Sequence, residues 1–190
     1  PDYSSAASDV YKRQGVAWTQ NNLGLLYNHL GQPELALALH QEALQSSIEL
    51  GATTTEGLSW QRLGQDFYAL GQLEESYDAF LKSIQIQERL GQAVWAIESR
   101  SGLAATQLSL KLIDDAFLQV EEILKFLDNG SIDGAREPLL IYWNCYQVLE
   151  AASDPRANGL LEIAHQEMLD VSAKLADPDL RSMYLENVPF

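Results

Sequence analysis

Large apolar, small and aromatic positions recur along this chain at a spacing of forty residues. NNLGLLYNHLGQPELALALHQEAL at 21–44 returns as QRLGQDFYALGQLEESYDAFLKSI at 61–84. A worn copy, SGLAATQLSLKLIDDAFLQVEEIL, follows at 101–124. The register is constant: Leu23, Leu63 and Leu103; Gly24, Gly64 and Ala104; Ala36, Ser76 and Ala116; Ala43, Ser83 and Ile123. Three copies at one spacing mark a solenoid of stacked units. Within a copy, a large residue, a small one beside it and an aromatic three further on (Leu23, Gly24, Tyr27) line one face of a first helix. Ala36 and Ala43 keep a second helix slim enough to pack closely against it. The pattern predicts helix pairs at 16–30 and 34–50, at 54–70 and 73–90, and at 93–110 and 113–127.

Local signals bound these helices. Gly31 and Gly71 suit the left-handed residue that ends a helix, and Gly51 and Gly91 close the second helices. Lys111 stands at the corresponding place in the third copy, where the turn is expected to be made differently. Pro33 fits the first turn of a helix, where its missing N–H costs nothing. Thr53 with Glu56 offers a capping box for the third helix. Asp128-Asn129-Gly130-Ser131 is the strongest turn in the chain, and its Asn-Gly-Ser sequon reads as a chance match. Beyond Gly134 the period extends by register to Trp143, Ile163 and Ala164. PLLIYWNCYQVLEAA reads as a helix, and Asp154-Pro155 opens another with Ala157, Leu160, Leu161, Ala164 and Met168 on one face, reaching about Leu175. A short helix at 180–185 precedes Asn187-Val188-Pro189.

The opening stands apart. SSAASDVYKRQ, at 4–14, back-translates to a sequence similar to a sequencing-library adapter, and Pro1 is not a methionine. Residues 1–14 are therefore expected to be a non-native, disordered tail. The natural chain is expected to start near Gly15, as a fragment of a longer reading frame.

The repeat resembles the tetratricopeptide repeat family. Leu23, Gly24, Tyr27, Ala36 and Ala43 carry the resemblance in the first copy. Trp60, Leu63, Gly64, Phe67 and Phe80 carry it in the second, and Leu103, Ala104 and Ala116 in the third, where Gln107 replaces the aromatic. The family's unit is about 34 residues, so these copies are longer, as in a bacterial regulatory subgroup. The resemblance implies a right-handed α-solenoid of antiparallel helix pairs, with repeats near 17–51, 56–91 and 96–127. Residues 131–190 would then form a divergent fourth hairpin and a capping helix. Cys145–Leu149, Asp154-Pro155-Arg156-Ala157, Leu180-Arg181 and Leu185–Pro189 resemble the divergent end of tetratricopeptide arms in large bacterial signal-transduction proteins.

Composition narrows the partners. The 190 residues carry a formal charge of −15, which opposes a nucleic-acid or anionic-membrane surface. No apolar run is long enough to span a membrane, and no secretory signal is visible. Cys145 has no second cysteine to pair with, which fits a reducing, cytoplasmic setting. Nucleotide-binding, zincin, nucleophile-elbow and Cys-x-x-Cys motifs are all missing, so neither an enzyme nor a cofactor or metal site is expected. His40 is expected to pack between helices, His29 to be solvated and Cys145 to be buried and inert. Asp114-Asp115 and Glu121-Glu122 suit a solvated face. Trp60, Leu63, Phe67 and Phe80 are expected in the core.

What remains is a surface. By family register the inward positions are Trp18, Asn21, Leu25 and Asn28, then Gln61, Gln65 and Tyr68, then Glu98, Ser101 and Ala105. Amides that pair a peptide backbone, beside Trp18 and Tyr68, suit an extended peptide. Arg62 is the basic residue near this set, so the clamp by which one subgroup grips a terminal carboxylate with Lys, Arg and Asn is not expected. The expected function is non-catalytic binding of a protein or peptide on the concave face, or of other domains of the same polypeptide. The alternative is a regulatory arm of a larger bacterial ATPase-type transcriptional regulator or nucleotide cyclase. An uncovered first repeat would leave Trp18 and Leu25 partly exposed and favour weak self-association.

Overall fold

The computed structural model describes residues 3–186, with side chains described from Arg13 onward. Among these residues the chain forms nine helices and no strand. They are α1 (Tyr3–His29), α2 (Pro33–Glu49), α3 (Thr53–Ala69), α4 (Leu73–Arg89), α5 (Ala93–Ser109), α6 (Ile113–Asn129), α7 (Pro138–Ala151), α8 (Ala157–Lys174) and α9 (Pro178–Glu186). Each helix from α1 to α5 meets the next through a link of three residues, short enough to hold neighbours antiparallel. The odd-numbered helices α1, α3, α5 and α7 also touch in sequence, α1 on α3, α3 on α5 and α5 on α7. The result is the all-α solenoid of helix pairs that the period predicts.

The links explain the regularity. The Gly31 N–H donates to the Asn28 carbonyl and the Gln32 N–H to the Tyr27 carbonyl, both at 2.9 Å. This paired turn requires a left-handed residue at its centre, and Gly31 supplies it at φ 70°. Gly51, Gly71 and Gly91 repeat the turn. Lys111 makes the same turn at φ 64°, with Leu112 donating to the Gln107 carbonyl. The third copy thus does not turn differently; it keeps the geometry and bears the Cβ crowding of a left-handed non-glycine residue, about 1–2 kcal/mol.

Four sequence expectations are corrected. Thr53 is the first helical residue of α3 and Ala52 caps it without a side-chain bond, so the Thr53–Glu56 capping box does not form. Ala52 already closes α2 by donating to the Ser47 carbonyl, and the shared residue leaves no room for a separate cap. The helical backbone of α1 runs back to Tyr3, through the stretch expected to be disordered; the stretch contains no proline after Pro1 to stop it. The forty-residue register does not reach the last hairpin, where Ile163 is 50% exposed. An eight-residue connection, 130–137, precedes α7 and displaces it from the period. Trp60 and Phe67 are half-buried rather than core, with the Lys82 ammonium 4.1 Å over the Trp60 ring. Helix α9 buries no residue, and Asn187–Pro189 lie outside the described residues.

The core changes character along the solenoid. From α5 to α8 it is aliphatic, built on Ile97, Val120, Ile123, Ile141, Val148, Leu149 and Leu160 around the buried Cys145. Between α3, α4 and α5 the Phe80 ring packs with Ile84 and Leu103. A Cβ on Gly64 would fall 2.9 Å from that ring and one on Gly102 2.3 Å from it, so both helices need glycine there. Between α1 and α5 much of the buried contact is polar. Ser76 donates to the Gly64 carbonyl and Ser83 to the Gly57 carbonyl, and Ser83, Ser99 and Gln87 form a buried chain to Gln61.

Candidate functional site

The odd-numbered helices present one face, and its residues fall into three groups. The first lies beneath the face. His40, on α2, is buried with Nδ1 2.5 Å from Asp66 Oδ2 and Nε2 3.1 Å from the Asn21 carbonyl. Both ring nitrogens are thus engaged, one by the carboxyl group and one by the backbone. Asn28 donates to the other Asp66 oxygen at 2.7 Å. This cluster ties α1, α2 and α3 together. A Cβ on Gly24 would lie 2.3 Å from His40 Nε2, so the small residue of the repeat makes room for the ring. His40 packs between helices as expected.

The second group was not foreseen. The connection from α6 to α7 arches over the face. Ile132 anchors it in the aliphatic core, a turn brings the Ala135 N–H to the Ile132 carbonyl at 2.8 Å, and Arg136 and Glu137 then reach the face. The Glu98 Oε1 atom accepts the N–H groups of both Arg136 (2.5 Å) and Glu137 (2.8 Å). The Arg136 guanidinium lies over Trp95 at 4.0 Å and further over Trp18 at 5.9 Å. Arg62 and Gln65 both donate to Glu137 Oε2 at 2.7 Å, and His29 Nε2 lies 3.1 Å from Oε1. Burial alone would raise the Glu137 pKa; the bond from His29, the charge of Arg62 and the bonds from Gln65 and Arg62 outweigh it and lower it to about 2. Burial pushes Glu98 the other way, above the ordinary carboxylate range, against the pull of the two backbone N–H groups and the nearby arginines.

The third group is a cavity of about 390 Å³ beside Glu137, lined from α1, α3, α5 and α7, with Phe80 from α4. Leu25, Ala69, Phe80, Ala105 and Leu140 supply its apolar wall, and Asn28, Gln65, Asn144 and Gln147 its amides. Tyr68 stands at its rim, with its hydroxyl 3.1 Å from Ser109 Oγ.

Residues 16–50 match the family model for the tetratricopeptide repeat. The match covers the second part of α1 and all of α2, and it supports a tetratricopeptide-repeat identity for the chain. Tetratricopeptide repeats generally mediate protein–protein interaction and are typically non-catalytic. No curated protein matches the chain.

The tetratricopeptide register places the predicted inward residues unequally. Leu25, Asn28, Gln65, Tyr68, Glu98, Ser101 and Ala105 line the cavity. Asn21 and Gln61 do not: both are buried between helices, bonded to Ser59 and Gln87. Trp18 lies apart from the cavity, under Arg136. His29, expected in solvent, is half-exposed but engaged by Glu137. Arg62, expected as a lone basic residue, is buried and paired. Cys145 is buried and unpaired, with burial pushing its thiol up to about 12. Asp66, Arg136 and Glu137 were missed. An arginine on the inner face implies an acidic partner, but 27 acidic residues could have supplied it, and Glu137 lies 75 positions away.

Proposed function

We propose that the chain is a non-catalytic binding module that takes an extended protein segment in the cavity between α1, α3, α5 and α7. The observation that carries this reading is the cavity itself: an apolar wall with four amides and an aromatic rim. Amides pair a peptide backbone without demanding a sequence, and apolar walls with Tyr68 supply contact area. Among the described residues no helix is long and apolar enough to cross a membrane, and no cluster of side chains could hold a metal ion. A cytoplasmic setting belongs to the same proposal, supported by the buried, unpaired Cys145. So does weak self-association, supported by Leu26, Leu30 and Leu35, which are exposed on α1, on α2 and in the link between them.

The test is a peptide library read out by affinity against the intact chain and against Tyr68→Ala with Gln147→Ala. Both side chains border the cavity without joining the buried network, so helicity by circular dichroism stays unchanged. Selected peptides are expected to bind at least tenfold more weakly to the double variant. Equal affinity for both forms would remove the cavity as the binding site.

A further inference from the structure

Arg136 and Glu137 occupy the face formed by α1, α3 and α5 as a ligand would. Two successive backbone N–H groups are received by Glu98, a basic side chain lies on Trp95, and an acidic one enters a cage of Arg62, Gln65 and His29. None of these contacts is apolar packing between aliphatic groups. The apolar anchors of the segment, Ile132 and Ile141, lie on either side of the pair, so the two side chains can leave the face while the anchors hold. Glu137 also forms part of the cavity wall. A peptide in the cavity therefore runs directly into the cage.

The fit of the pair is incomplete. Arg136 Nη1 and Glu98 Oε2 are buried and form an ion pair at 3.6 Å, too long for a hydrogen bond, and neither atom has another hydrogen-bond partner. We infer that the face formed by α1, α3 and α5 reads an extended basic–acidic dipeptide, and that Arg136–Glu137 fills this site in cis until a partner carrying the same pair displaces it. The inference rests on the cavity reading above and names the partner chemistry and the regulation of that site. A tethered competitor acts at an effective concentration on the order of mM, so a partner's apparent affinity falls by the fraction of chains that are open.

The test uses the intact chain and two fluorescein-labelled, end-blocked peptides, Ala-Arg-Glu-Pro-Leu and its uncharged counterpart Ala-Gln-Gln-Pro-Leu, read by anisotropy. The chain carrying Arg136→Ala with Glu137→Ala is expected to bind the charged peptide at least tenfold more tightly than the unchanged chain does. Adding Tyr68→Ala to the opened chain weakens it again. If both peptides bind equally, and opening changes neither, the inference is overturned while the cavity reading stands. If neither peptide binds an opened chain of unchanged helicity, both are overturned. Should the double variant lose helicity, Glu137→Gln keeps the side-chain volume and loosens the ion pair. It must then show the same tightening for the charged peptide, and no tightening overturns the inference.

Discussion

His40 and Asp66 face one another across the first repeat junction, 2.5 Å apart and both almost wholly removed from solvent. Asn28 and the Asn21 carbonyl complete the set. Every polar atom of the ring and the carboxylate that takes part has a partner, which makes such a cluster costly to break.

Asp66→Ala leaves the buried His40 ring and the Asn28 amide without their partner. Breaking a buried pair by removing one member typically costs about 3–5 kcal/mol, and the same loss is expected here. Urea unfolding followed by circular dichroism measures it. Glu49→Ala, which opens the exposed pair to Arg13, leaves the midpoint unchanged. A shift for Asp66→Ala as small as that for Glu49→Ala would show the cluster to be energetically idle.

Leu23, Leu63 and Leu103 hold one register position, yet Leu23 is 41% exposed and the other two are buried. Helices α2 and α4 cover α3 and α5; no described helix covers α1 in this way. Leu63→Ala and Leu103→Ala are expected to cost about 2–5 kcal/mol. Leu23→Ala, already partly in water, is expected to cost less than about 1 kcal/mol. Equal losses at all three positions, in the same unfolding assay, would show that α1 is covered in solution.

The helix pairs were legible because their cause is local and repeated. Gly31, Gly51, Gly71 and Gly91 mark turns twenty residues apart, and the small residues recur with them. The same regularity misled where a special residue seemed necessary: Lys111 takes the glycine conformation, and the three-residue link dispenses with the Thr53 cap. About half of the candidate site was legible. Register places Leu25, Asn28, Gln65, Tyr68 and Ser101 on the face, because register fixes which way a helical residue points. It does not show that Asn21 and Gln61 sink between helices. Nor does it reveal Glu137, whose position depends on an irregular connection that no period governs.

Cys145 has no accessible surface, and burial holds its thiol near 12. The thiolate is the reactive form, so a disulfide reagent at pH 8 is expected to leave the folded chain unlabelled over the time a free thiol reacts. In urea it should label fully. Because Cys145 lies among Val148, Leu149 and Leu160, slow labelling without urea would measure opening of the α7–α8 hairpin. Rapid labelling would contradict the packing of that hairpin.

Glu137 and Glu98 give stability two separate acid dependences. The Glu137 carboxyl is held near 2 against 4.5 for an ordinary glutamate. Unfolding therefore takes up a proton as pH falls below 4.5, and the stabilisation present above 4.5 is lost between there and about 2. The shift corresponds to roughly 3 kcal/mol at most. Glu98 is raised, so its contribution has the opposite sense: it is present below 4.5 and lost as pH rises above that value. Glu137→Gln should flatten the stability profile below 4.5 and leave the slope above it. Glu98→Gln should do the reverse, because the amide keeps an oxygen for the Arg136 and Glu137 N–H groups but no longer titrates. Urea midpoints between pH 2.5 and 7 separate the two. If Glu137→Gln leaves the acid limb as steep as before, the carboxylate is not held by Arg62 in solution and the arch stands open.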